Sequence, residues 1–189
     1  MDFYIDVLDG RQKIALVAVA PHPDLASIKR SVEENKNYEL TSSLLQDFKA
    51  PKEVDLIILH NSTALDQPIN GALRKIVDSD VPLLVLGSGW NNLGAQFGIR
   101  TVNGKKRSQQ NEVYPRLNEN FSLFTVSENL SKQLNRFPPL SGFKTTSDKK
   151  QVNTSLFFQR IGKVETKFPM FVFYEKEESN FPHTVLGAY

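Results

Sequence analysis

Three stretches of the chain are apolar at nearly every position: Lys13 to Ala20, Val54 to His60 and Pro82 to Leu86. A strand with one wet face alternates apolar and polar residues, so unbroken runs predict strands covered on both faces, as in a parallel sheet. Between the first two runs, Leu25, Ile28 and Val32 recur at spacings of three and four, and Lys29, Arg30, Glu33 and Glu34 take the other positions. That pattern predicts an amphipathic helix. Pro21-His22-Pro23-Asp24 separates it from the first strand, Asn35-Lys36-Asn37 closes it, and Tyr38 to Leu45 is predicted as the next strand. A second helix is expected to open near Pro68, since proline is tolerated in a first turn, with Ile69, Leu73, Ile76 and Val77 as its buried stripe. Asp78-Ser79-Asp80 leads from there into the strand at Pro82.

The first hundred residues thus read β-α-β-β-α-β-α, the last helix closing on Phe97-Gly98. Alternating buried strands and helices predict an α/β fold: an open, mostly parallel central sheet with helices on both faces. The second half is less regular. Thr101 to Leu117 is polar and loop-like, with a hairpin signal at Asn103-Gly104. Phe121 to Val126 is predicted as a short strand and Ser127 to Arg136 as a helix capped by Ser127, stopped by Phe137-Pro138-Pro139-Leu140. Extra strands are expected at Ser155 to Ile161, Met170 to Tyr174 and Thr184 to Ala188. Residues 3–8 alternate like a strand before the turn at Asp9-Gly10, so 1–11 reads as a leading strand or linker of one domain spanning 1–189. There is no internal repeat.

Composition narrows the partners. With 189 residues and 40% apolar content, one core suffices. The net charge of +2 is too small to argue for nucleic acid, and Lys105-Lys106-Arg107 and Lys149-Lys150 read as solvated loops. The chain has no cysteine, which excludes disulfides, thiolate metal sites and a cysteine nucleophile. No apolar run nears the roughly 20 residues of a membrane helix, so membrane insertion by this segment is not expected. Met1 to Asp6 lacks a signal peptide's basic start. The apolar segment Thr184 to Tyr189 has no polar tail, and the sequence is expected to be an excerpt of a longer protein.

Ligands of open α/β sheets gather outside the carboxyl ends of the strands, where strand order reverses. His22 and Asp24 follow the first strand, His60 and Asn61 the third, and Gly87-Ser88-Gly89-Trp90-Asn91-Asn92 the fourth. A serine, two imidazoles and a carboxylate are the inventory of a hydrolase, with Ser88 as nucleophile and His60 or His22 and Asp24 behind it. The elbow spacing argues against this. Hydrolases use Gly-x-Ser-x-Gly, whereas here the glycines are immediately adjacent to Ser88. The backbone amides of Gly89 and Trp90 open a helix and can hold an anion. Gly87, Ser88, Gly89, Trp90 and Asn61 are therefore the ligand-binding candidates, Trp90 either as a platform or as cover for the sheet end. Gly87-Ser88-Gly89 is too short for a dinucleotide fingerprint, and no cofactor is expected.

Pro21-His22-Pro23-Asp24 resembles the opening motif of zinc-dependent N-acetyl-sugar deacetylases, His-Pro-Asp-Asp-Glu, whose His and acid bind the metal. Leu25 and Ala26 stand here in place of the second Asp and the Glu, and His60 and His183 are isolated in the sequence. No metal is expected on this reading. Pro23 and Asp24 serve equally as a helix start, the acid favoured by the helix dipole.

Pro82 to Gly98 resembles the strand-elbow-helix segment of class I glutamine amidotransferase-like domains, which are flavodoxin-like in fold. In those domains a proline-led strand runs into Gly-x-Cys-x-Gly and a helix ending in Phe-Gly. Val54 to His60 is similar to the preceding family strand, and the likeness is good over about residues 13–100. Active members attack glutamine with the elbow cysteine, assisted by a His and a Glu near the domain's C-terminal end. Ser88 or a neighbouring glycine stands at this elbow, and no His-Pro-Glu segment follows the last strand. The resemblance implies the fold while the residues argue against glutaminase chemistry. The chain is also similar to amidotransferase-like segments within larger, membrane-anchored bacterial proteins carrying von Willebrand A-type regions. That likeness implies a pseudoenzyme acting as a binding, interaction or scaffold module, outside the cytoplasm (periplasmic). Its partners would be other domains of the same polypeptide or other proteins. A cytoplasmic location and a small-molecule sensor with a ligand at the strand ends are the alternatives.

Overall fold

The unbroken apolar runs become neighbouring strands of a nine-stranded sheet. The computed structural model describes residues 10–49, 53–60, 71–87, 99–101, 111–147, 153–175 and 184–188. Within it, β1 (Gln12–Ala18), β2 (Tyr38–Leu44), β3 (Leu56–His60) and β4 (Leu83–Leu86) lie in the order β2-β1-β3-β4, all parallel. In register, Leu16 sits beside Ser42 on one side and Ile58 on the other.

Side chains leave a strand on alternate faces, so each apolar run supplies two cores. On one face Ala15, Val17, Ile57, Leu59, Leu83 and Val85 pack with Leu73 and Ile76 of helix α2 (Gly71–Val77). On the other, Ile14, Leu16 and Ile58 meet Leu25, Ile28 and Val32 of helix α1 (Asp24–Glu33). The expected α/β architecture with helices on both faces is what forms. Val17 and Leu59 are completely buried, each contributing about 1.5–3 kcal/mol relative to exposure.

The C-terminal half adds β5 (Ile99–Thr101), β6 (Asn111–Leu117), β7 (Leu140–Gly142), β8 (Thr145–Ser147), β9 (Asn153–Ile161), β10 (Val164–Glu175) and β11 (Thr184–Ala188). The full order is β2-β1-β3-β4-β11-β10-β9-β6-β7, with β5 and β8 forming a separate antiparallel pair. β11 runs parallel to β4 and antiparallel to β10. Beyond it every pairing is antiparallel.

Three expectations change here. Residues 111–117 form strand β6 instead of a loop, because Val113 is completely buried while the flanking polar residues line a partly exposed ladder. Pro115 is accommodated because β7 pairs only Asn111 to Val113, leaving Pro115 with β9 alone as partner, and proline is admitted on such strand edges. Residues 121–126 are not a strand. Phe121 and Phe124 instead pack on Phe173, at ring separations of 5.4 and 5.5 Å. Helix α3 is only Leu130–Leu134, and Ser127 serves one turn earlier, its carbonyl accepting from the Leu130 N–H at 2.9 Å.

The buried Gln159 is polar inside β9, and its Nε2 donates to the Phe143 carbonyl at 2.9 Å. The expected strand at residues 3–8, the opening of the second helix at Pro68 and Ile69, the helix after β4 and the hairpin at Asn103-Gly104 lie outside the described residues. Among those described, no helix is long and apolar enough to cross a membrane.

Candidate functional site

From β1 the chain moves to β2 on one side, then returns to β3 on the other. Connections leaving β1 and β3 therefore diverge, and the strand ends border a crevice where ligands of such sheets bind. His60 is the last residue of β3, opposite Ala18 of β1. The Val19 N–H donates to the His60 carbonyl at 3.0 Å, prolonging the ladder by one residue. The chain then turns at Pro21-His22-Pro23. Within that turn the Leu25 N–H donates to the His22 carbonyl at 3.1 Å, and the Asp24 N–H donates to His22 Nδ1 at 3.3 Å. Asp24 falls in the first turn of α1, where the helix dipole favours a negative charge.

These local preferences bring three side chains together. Asp24 Oδ2 lies 3.2 Å from His22 Nδ1 and 3.5 Å from His60 Nε2, and the two imidazole rings are 4.9 Å apart at a tilt of 36°. The three offer one donor atom each within 4.8 Å of one another. Exposure is graded across the trio: the His60 side chain is 4% exposed, His22 37% and Asp24 51%. Burial holds the His60 pKa below the ordinary histidine value. Asp24 opposes that shift, and the neighbouring His22 adds to it. His60 Nδ1 is buried without a hydrogen-bond partner among the described residues.

His60, isolated in the linear sequence, is thus in contact with the His22-Asp24 turn, and the strand order is the reason. Gly87, directly after β4, has φ of +123°, a conformation that favours glycine, and the register places Leu86 beside His60. Asn61, Ser88, Gly89, Trp90, Asn91, Asn92 and His183 lie outside the described residues. Adjacent to the trio, a cleft of about 310 Å³ opens between α1 and the ends of β1 and β2, lined by Ala18, Leu25, Ser43 and Leu44 among others. A second, apolar cleft of about 370 Å³ lies in the antiparallel half, where Leu134, Phe137, Phe157 and Met170 form part of its wall.

No protein-family model matches the sequence, and no curated protein matches it. Solved structures do. One is Agd3, described as a novel carbohydrate deacetylase, with a TM-score of 0.55 at 12% identity over 95% of this chain. The chain spans only 29% of that protein's length. Another is PurLQS from Thermotoga maritima, an enzyme containing a class I glutamine amidotransferase, with a TM-score of 0.50 at 14% identity over 93% of this chain and 87% of the other. At such identities the likeness is one of fold.

Proposed function

We propose that this chain is an amidotransferase-like α/β module without glutaminase activity, serving as a binding, interaction or scaffold part of a larger protein. One observation supports the reading: an α/β sheet similar in fold to that of PurLQS is built from a sequence with no cysteine. Glutamine hydrolysis of this class begins with thiolate attack on the side-chain amide, and no other residue supplies an equivalent nucleophile without an activating base. The module's ligand or partner surface is the crevice at the ends of β1 and β3. Its setting, on the same proposal, is a membrane-anchored bacterial protein with von Willebrand A-type regions, on the periplasmic side.

A second reading has its own support. His22, Asp24 and His60 form a hydrogen-bonding group of the kind that activates a serine, which keeps Ser88 hydrolysis as the rival. A fluorophosphonate probe separates the two, together with a measurement of ammonia release from glutamine. The module reading expects no ammonia and no labelling that differs between the parent chain and Ser88→Ala. Labelling lost in Ser88→Ala establishes the hydrolase and overturns the module.

A further inference from the structure

We propose that His22, Asp24 and His60 form a binding site for a divalent transition-metal ion, with zinc as the best match, at the crevice between the ends of β1 and β3. Tetrahedral zinc with bonds of about 2.0–2.1 Å needs its donors about 3.3 Å apart. Two edges of the triangle, 3.2 and 3.5 Å, already have that length. The third edge, between the two imidazole donors, is no longer than 4.8 Å, and the His22 side chain on it is 37% exposed.

Donor chemistry selects the class of ion. Two imidazoles and one carboxylate are borderline ligands that suit zinc and its transition-metal neighbours, whereas magnesium and calcium take sets of oxygens. Imidazole binds a metal through a neutral ring nitrogen. The anchors differ in stiffness as a site requires. His60 is fixed at the end of a core strand, with its backbone held in the sheet on both sides, and Asp24 is fixed by the first turn of α1. Three ligands among the described residues leave a fourth position of tetrahedral zinc for solvent or a further ligand in the crevice.

The His60 Nδ1 proton has no acceptor among the described residues. Metal-binding histidines ordinarily gain affinity from such an acceptor, so binding is expected to be about 10–100-fold weaker than at a site that has one. The site is independent of the missing glutaminase chemistry, and each reading can fail alone: Ser88 labelling tests one and metal titration the other.

The test uses the full chain, stripped with a chelator and titrated with zinc by calorimetry and with cobalt by visible absorption. The expected result is one equivalent of zinc and an intense cobalt band of the tetrahedral kind. Affinity should fall by more than about tenfold in each of His22→Ala and Asp24→Asn. Both side chains are exposed enough for these variants to fold, so the test does not depend on His60→Ala, which removes a buried group. His183→Ala should bind as the parent does. Absence of stoichiometric binding overturns the site. Binding that survives Asp24→Asn, or that is lost in His183→Ala alone, overturns it equally.

Discussion

The rings of His22, in the turn after β1, and His60, at the end of β3, stand 4.9 Å apart, centre to centre, and Asp24 contacts both. A metal ion held by both rings and Asp24 binds the folded chain and not the unfolded one. Zinc should therefore stabilise the fold. At a free concentration about 100 times its dissociation constant, it should add about 2.7 kcal/mol to unfolding free energy, read as a shift of the urea midpoint. Asp24→Asn should show no such shift.

The parallel half depends on its two cores. Leu59 is completely buried within the cluster shared by the sheet and α2, so Leu59→Ala is expected to cost about 2–5 kcal/mol. Val164, which is 64% exposed, should tolerate alanine within about 0.5 kcal/mol. Urea unfolding of the two variants side by side measures the contrast.

Gly142 of β7 is required by its neighbour on β6. A Cβ there would lie 2.9 Å from Val113 Cγ2, and Val113 is buried and β-branched, with little freedom to move. Gly142→Ala should destabilise by about 1–3 kcal/mol. Pairing it with Val113→Ala should recover part of that loss, giving a double-mutant cycle with a coupling of at least about 0.5 kcal/mol.

At the opposite end of the strands, Lys13 Nζ donates to Glu53 Oε2 at 2.6 Å. That hydrogen bond, reinforced by the charges, lowers the Glu53 pKa from 4.5 and raises that of Lys13 from 10.5. The pair therefore favours the fold between about pH 4.5 and 10.5. Its contribution is lost as pH falls through the lowered Glu53 value or rises through the raised Lys13 value. Both groups are in water, so the effect is small and screened. Glu53→Gln should flatten the acid limb of a stability profile at low salt, and the difference should vanish at high salt.

Residues buried on both faces were the most legible in the sequence. Lys13 to Ala20, Val54 to His60 and Pro82 to Leu86 could be little else than central parallel strands, and the spacing of Leu25, Ile28 and Val32 placed α1 against them. Strand β6 was hidden because only Val113 of its seven residues is buried and Pro115 reads as a breaker. Phe121 and Phe124 misled in the opposite sense: aromatic residues that suit a ladder are used for packing on Phe173. At the site, the positions of His22, Asp24 and His60 beyond strand ends were readable individually. Their contact was not, because spacing along the chain carries no record of β1 lying between β2 and β3.

Strand β11 has a consequence for how this protein is made. It occupies the slot between β4 and β10, parallel to the first and antiparallel to the second, and so joins the two halves of the sheet edge to edge. β2, β1, β3 and β4 come from the first half of the chain and can assemble as synthesis proceeds, since folding follows emergence from the ribosome. The seam, in contrast, stays open until residues 184–188 have been translated. Until then β4 and β10 each present an unpaired edge, the form of nascent chain most prone to pair with a neighbour and the one a holding chaperone would engage.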